Sequence, residues 1–452
     1  MKYFLPDSQD LVDPSFDFRK ESRSLDRVRH QDDHYAHEVF STRAFDGVLV
    51  SKAIVEGTGG VGQAKYTQAQ KRRILREGVK AFFRAENHKW GPMSFMGDCG
   101  AFTYVKEKVP PFSVDSVIEF YEQCGFDLGI SIDHVILEFK PQWEEGLFGG
   151  VADPSTDPTI RAEILERQKL TLELANEFFK TTSRDKLCFT PVGVAQGWGP
   201  RSYAHAAREL QKIGYRYIAL GGMVPLKTPD ILSCLQAVDG VRNKDTKIHL
   251  LGVTRLTQLS AFARHGVVSF DSTSPLRQAF KDDKDNYYTL DRTYSAVRVP
   301  QVQGNFRLEA RIKAGEVDQD IARRAELRCL ETLAEYDAGK RALKSVLEAL
   351  RAYELIHDPR TDRTEIYREV LDARPWTKCA CEVCQQLRYH VILFRGAERN
   401  RRRGFHNVWT FYQRLSRGLE SQAVETNAVP KGKSKPSRKS LDNRLQTVQE
   451  AV

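Results

Sequence analysis

The stretch from residue 187 to 271 reads LCFTPVGVAQG (187–197), SYAHAARELQKIG (202–214), YRYIALGG (215–222), PDILSCLQAV (229–238), KIHLLGV (247–253), LTQLSAFARHG (256–266) and VVSFD (267–271). Short runs rich in β-branched and aromatic residues alternate with amphipathic helical segments, and glycine or polar turns separate them. That alternation predicts parallel strands, because parallel neighbours need a crossover connection, usually a helix. The pattern extends upstream. DGVLV (46–50) comes first, PMSFMGD (92–98) precedes VDSVIEFYEQCG (114–125), and LGISIDHVILEF (128–139) precedes IRAEILERQKLTLELANEFFK (160–180). Seven strands between residues 46 and 271, with room for an eighth before about residue 300, predict a TIM (β/α)8 barrel of the α/β class. A doubly wound parallel sheet is the alternative.

The strand ends carry the polar residues. Asp98, Asp133, Gln196 with Gly197, Gly221-Gly222, Gly252 and Asp271 each fall at or near the C-terminal end of an expected strand. Parallel barrels assemble their active sites at that face, from several strands at once. One Asp ending a strand is more often a helix cap; the whole set converging on one mouth is not explained that way. Two carboxylates at a barrel mouth suit displacement at a glycosidic carbon, with one attacking or stabilising the sugar while the other moves a proton. Asp271 and Asp98 are that pair. Phe102 is placed to cover one face of a flat base, and Gly221-Gly222 would let main chain approach its edge.

With 452 residues, 41% of them apolar, the chain can bury a large core, and its net charge of +9 is compatible with a polyanionic partner. The N-terminus lacks the pattern of a signal peptide, and no segment approaches 18 uninterrupted apolar residues, so no membrane span is expected. Cys99, Cys124, Cys188, Cys234 and Cys329 are scattered, which points to a reducing cytoplasm rather than a disulfide framework. Residues 1–44, with DFRKESRSLDRVRHQDDH (17–34), read as a solvated N-terminal arm, and 45–305 as the barrel. Gly57-Thr58-Gly59-Gly60-Val61-Gly62 matches GxGxxG, but no acid-terminated strand follows at the spacing a dinucleotide site requires, and a loop is expected instead. Residues 306–424 form a helical and metal-binding subdomain, with ELRCLETLAEYDAGKRALKSVLEALRAYELI (326–356) keeping one apolar stripe. Residues 425–452 are a basic tail of low apolar content, expected to be disordered.

Within that subdomain Cys379-Ala380-Cys381-Glu382-Val383-Cys384 and His406 make a Cys3His set suited to structural zinc, with His390 competing for the fourth position. Four protein ligands close the coordination sphere, so the ion would hold structure rather than activate water. Arg399, Arg401, Arg402 and Arg403, interleaved with aromatics, are candidates for nucleic-acid contact; a solvated face is the bland alternative.

These residues resemble the tRNA-guanine transglycosylases, zinc-bearing TIM barrels that exchange a guanine for a 7-deazaguanine. Asp98-Cys99-Gly100-Ala101-Phe102 is similar to the family's D-S-G-G-F/Y, Gly193-Val194-Ala195-Gln196-Gly197 to G-x-V-Q-G, and Phe270-Asp271 to the F-D that carries the nucleophile. Cys379, Cys381, Cys384 and His406-Asn407 match C-x-C-x2-C…H-N, which favours His406 over His390. The resemblance implies that Asp271 attacks the sugar C1′ to form a covalent glycosyl-enzyme and that Asp98 is the general acid/base. It further implies that Asp133, Gln196 and the main chain at Gly221-Gly222 hold the base edge, with Phe102 and Leu251 about its ring. Two departures matter. Met223-Val224-Pro225-Leu226-Lys227 replaces a segment ending in Glu, so a neutral nitrile, 7-cyano-7-deazaguanine, is the expected incoming base. Pro275-Leu276-Arg277-Gln278-Ala279-Phe280 keeps one of two arginines that meet tRNA. Both departures are similar to the DpdA branch, which inserts the nitrile base into DNA alongside a partner protein, DpdB. Arg277 would then contact DNA. A tRNA substrate, or a non-catalytic nucleic-acid-binding paralogue, is the alternative.

Overall fold

The computed structural model describes residues 1–58, 64–145, 147–148, 158–185, 187–281 and 284–427. Its centre is a closed barrel of eight parallel strands in chain order: β1 (Lys2–Pro6), β2 (Gly47–Ser51), β3 (Ser94–Asp98), β4 (Leu128–Ile130), β5 (Thr190–Ala195), β6 (Tyr217–Leu220), β7 (Lys247–Leu250) and β8 (Val267–Asp271). The doubly wound alternative is thereby excluded, since closure leaves no open edge. Phe4, Leu49, Met96, Ile130, Val192, Val194 and Ala219 fill the barrel interior. Outward-facing strand residues pack instead against the crossover helices, among them Gln68–Phe82, Val114–Cys124, Pro158–Asp185, Pro200–Ile213 and Thr228–Asp239.

Two expectations are corrected at the N-terminus. The eighth strand is not in the segment before residue 300, which forms a short helix (Ser274–Gln278) and an antiparallel pair, Tyr287–Tyr288 with Thr293–Tyr294. It is β1, which pairs in parallel with both β2 and β8 and closes the barrel. Tyr3 and Leu5 face the outer layer while Phe4 points inward, the period-two alternation of a strand compressed into five residues. Nor are residues 1–44 a solvated arm. Glu21 accepts hydrogen bonds from Arg395 and Arg399, the main-chain N–H of Asp13 donates to Glu398, and Asp13 pairs with Arg27. Asp13, Glu21, Arg27 and Asp33 are committed to internal ion pairs, while Arg19, Lys20, Asp26 and Arg29 stay exposed.

Beyond the barrel, helix Gln319–Asp337 packs on Leu343–His357, which packs in turn on Thr364–Ala373, while a long closing helix, Gly396–Asn427, packs on the short helix Ser274–Gln278 that follows β8. The expected apolar stripe is split by Gly339, which adopts φ +75°, and its first member Leu327 is exposed while Leu333, Val346, Leu347, Leu350 and Tyr353 are buried. The closing helix runs through the expected boundary at 424; the rest of the expected tail, from 428, lies outside the described residues. Most of the GxGxxG run does too, while Gly57 ends the helix Lys52–Glu56. No helix among the described residues is long and apolar enough to cross a membrane.

Candidate active site and metal centre

β3 ends at Asp98, and the chain turns at Gly100 (φ +88°), where a Cβ would lie 2.3 Å from Ser51 Oγ. Only glycine fits that turn, which carries the chain into a 3-10 turn, Ala101–Tyr104. Phe102 stands on it with half its surface (51%) exposed beside the mouth. Asp98 itself is little exposed. Burial pushes its carboxyl from 3.8 to about 8, with the charges of Asp133 and Asp271 adding to the rise and main-chain N–H bonds from Gly100 and Cys99 opposing it. Asp98 is therefore protonated at neutral pH, with Asp133 and Asp271 both acting on it.

Asp133, three residues past β4, is buried, and its carboxyl is raised to about 6 by burial against opposing bonds from Gln196 and Cys99. Gln196 Nε2 donates to Asp133 Oδ2 at 2.6 Å and the Cys99 thiol donates to Oδ1 at 3.3 Å, while the Ile136 N–H donates to Gln196 Oε1 at 3.2 Å. Gln196 is thus fixed at both ends. Gly221 and Gly222 follow β6 immediately. A Cβ on Gly221 would sit 2.1 Å from Gln196 Nε2, and one on Gly222 (φ +71°) 2.4 Å from the Ile136 carbonyl. Main chain here touches what side chains would otherwise displace.

Asp271 ends β8, almost fully buried. Its Oδ1 accepts from the Gly252 N–H at 3.0 Å and lies 3.1 Å from His249 Nε2. Leu251, half-buried between His249 and Gly252, packs on the barrel-interior cluster. His249, together with Ser269 and Tyr217 behind it, was not singled out in the sequence. The only signal was a polar residue inside KIHLLGV and another inside VVSFD, and such residues are ordinarily satisfied core groups.

At the metal centre Cys379, Cys381, Cys384 and His406 bring their ligand atoms within 4.8 Å of one another. His406 Nδ1 lies 3.6, 3.3 and 3.3 Å from the three sulfurs. A tetrahedral ion with bonds of about 2.3 Å to sulfur and about 2.1 Å to nitrogen has S···N edges of roughly 3.6 Å, so the donor set fits a metal ion. His406 Nε2 faces the Tyr288 carbonyl at 2.7 Å, an outer bond that fixes the ring and leaves Nδ1 for the ion. His390 is elsewhere, beside Phe18 and Arg399, and is no ligand. Asn407 ties the centre to the barrel: it donates to the carbonyls of Pro275 and Asn286 and accepts from Tyr288 N–H. The metal centre thereby grips the segment that follows the Asp271 strand.

The arginine candidates divide. Arg399, Arg402 and Arg403 are 2%, 5% and 0% exposed, so the expectation that they contact nucleic acid is corrected. Arg399 binds Glu21 and the Phe18 carbonyl, Arg402 the Asp13 carbonyl, and Arg403 the carbonyls of Val391, Leu393 and Ala279. A run of basic residues on one helix looks like a phosphate-binding face in sequence; here five-donor guanidinium groups satisfy main-chain carbonyls and a partly buried acid. Arg401 is partly exposed near Asp10 and Glu398, and Arg277 is exposed on Ser274–Gln278, directly after the Asp271 strand.

No family model matches the chain. It is 48% identical over 429 residues, 94% of this chain and 99% of the relative, to the DNA-guanine transglycosylase of Salmonella montevideo. With that likeness running through the closed barrel, its acid-lined mouth and the Cys3His cluster, the chain belongs to the DNA-guanine transglycosylases of the tRNA-guanine transglycosylase family.

Proposed function

We propose that the protein exchanges guanine in DNA for 7-cyano-7-deazaguanine through a covalent Asp271-glycosyl intermediate. The observation that carries this is Asp98, a carboxylic acid raised to about 8 by burial and by Asp133 and Asp271. It can give up a proton at a site where a second carboxylate attacks. Asp271 forms a bond to C1′ as the C1′–N9 bond breaks; the electron pair goes to N9, and Asp98 supplies the proton that makes the leaving group neutral guanine. The incoming base then loses its N9 proton to Asp98 and displaces the Asp271 carboxylate, which restores both groups. Uncatalysed departure of an anionic purine is the step Asp98 avoids.

Asp133 and Gln196 bond each other across the floor of the mouth. They would exchange that bond for the N–H and carbonyl edge of the base, with the main chain at Gly221-Gly222 alongside and Phe102 and Leu251 about the ring. Lys227, exposed after β6, would repel a cationic aminomethyl group and tolerate a nitrile. A base within a duplex cannot reach Asp271, so the target nucleotide must be flipped, at a cost of a few kcal/mol. Arg277, and to a smaller extent Arg401, would meet the phosphates beside it. The ion at Cys379, Cys381, Cys384 and His406 is proposed to be Zn2+, which holds structure. The DpdB partner and a cytoplasmic location, where reduced thiols persist beside DNA, complete the proposal.

Nucleoside mass spectrometry of DNA from cells with and without the protein tests it. The nitrile nucleoside should appear in DNA only with the wild-type chain and vanish with Asp271→Ala. Its appearance in tRNA alone would refute DNA as substrate.

A further inference from the structure

A file of polar groups crosses the otherwise apolar barrel interior beneath Asp271. His249 on β7 is fully buried; its Nδ1 lies 2.6 Å from Ser269 Oγ on β8, and Ser269 Oγ in turn bonds the Tyr217 hydroxyl on β6. Ser269 is the register partner of His249, and Ala219, two residues past Tyr217, is its partner on the other side. All three side chains therefore point into the barrel. Burying such groups among Phe4, Met96 and Val194 costs stability unless each is satisfied. A barrel interior needs only apolar residues to pack, so their presence calls for a role.

The direction of the file follows from the acceptor at its end. A carboxylate only accepts, so His249 Nε2 carries the hydrogen that meets Asp271 Oδ1. In the neutral ring Nδ1 then accepts from Ser269, and Ser269 accepts from Tyr217. Every hydrogen points toward Asp271. The Gly252 N–H lands on the same oxygen, and among the described residues no hydrogen bond is made to Oδ2. One carboxylate oxygen is held by two donors while the other is left for the sugar.

We infer that His249 is a positioning residue for base exchange. It holds Asp271 by Oδ1 so that Oδ2 attacks C1′, and it stabilises the carboxylate again when the incoming base displaces it. Ser269 and Tyr217 fix the imidazole tautomer that makes this possible. The inference rests on the proposed role of Asp271 as nucleophile.

The test compares His249→Leu, which removes the donor, with His249→Gln, whose amide N–H reaches the same oxygen, in guanine exchange into duplex DNA. Removing one oriented donor from a developing or departing charge lowers turnover by about 10²–10³-fold. His249→Leu should lose that much kcat with KM for DNA unchanged, and His249→Gln should recover to within about tenfold of wild type. Wild-type kcat in His249→Leu, no recovery in His249→Gln, or a loss that follows DNA binding or the thermal midpoint would overturn the inference. Imidazole nitrogen NMR shifts supply a readout without substrate: the Nε2–H tautomer in wild type, altered by Ser269→Ala and by Asp271→Ala. A wild-type protein that shows this tautomer but exchanges no guanine in DNA would refute the proposed reaction and leave the positioning intact. A mixed tautomer would refute the positioning.

Discussion

Replacing Asp98 by Asn should make the protein more stable while abolishing base exchange. In the unfolded chain this carboxyl titrates near 3.8, and in the folded protein near 8. At pH 7 folding must therefore take up a proton that the unfolded chain has already lost. The displacement is about three pH units, at ~1.4 kcal/mol per unit, which sets the cost of keeping a carboxyl here at about 4 kcal/mol. Asn is the neutral isostere; it can accept the same N–H bonds from Gly100 and Cys99 and escapes repulsion by Asp133 and Asp271. The sign fixes the pH dependence. A raised acid costs nothing below its unfolded value, increasingly more from about pH 4 to about pH 8, and a constant amount above that. Urea denaturation of both proteins across that range should show curves that coincide near pH 4 and separate progressively, with Asp98→Asn the more stable by several kcal/mol at pH 7. Guanine release by the wild type should fall as pH rises through about 8, because the acid form is lost. A variant no more stable than wild type at pH 7, or a gap independent of pH, would refute the assignment of Asp98 as a carboxyl held protonated.

The opposite case is Glu21: burial alone would raise its carboxyl, but the Arg395 and Arg399 guanidinium groups outweigh burial and hold it at about 2. Its stabilisation is present above its ordinary 4.5 and lost as pH falls toward 2, so Glu21→Gln should cost about 3 kcal/mol at pH 7 and little near pH 2, as read by urea midpoints. Gly221→Ala drives a Cβ to 2.1 Å from Gln196 Nε2, whose amide is held at both ends, and should lower the thermal midpoint as well as raise KM for the incoming base about tenfold or more. Stripping the metal, or Cys384→Ser, should free the segment around Tyr287 and Tyr288, whose ring and carbonyl contact Cys384 and His406. Limited proteolysis should cut there first, and elemental analysis should show one metal ion lost per chain.

The barrel was legible because seven of its strands obey a local rule: β-branched runs, a turn, then an amphipathic helix. β1 escaped because five residues followed by some forty of polar chain carry too little pattern, and what makes Lys2–Pro6 a strand is the gap between β8 and β2 that it fills. The mouth residues Asp98, Asp133, Gln196 and Asp271 were legible from their common position at strand ends. Arg399, Arg402 and Arg403 were misjudged because sequence shows charge but not its partner. For each, a partner (Glu21, or the carbonyl of Asp13 or Ala279) lies more than a hundred residues away. His249 was invisible for a related reason: its meaning comes from Ser269 and Asp271 on the neighbouring strand, a pairing set by register and not by spacing.

The most direct measurement is to incubate the protein with end-labelled duplex DNA and, separately, with tRNA, in the presence of soluble cell extract, and to denature before the incoming base is added. A covalent conjugate to DNA, mapped by peptide mass spectrometry to Asp271, discharged by 7-cyano-7-deazaguanine and absent in Asp271→Ala, is the predicted result. A conjugate formed with tRNA alone, or base exchange in DNA by a protein lacking the Asp271 carboxylate, would contradict it.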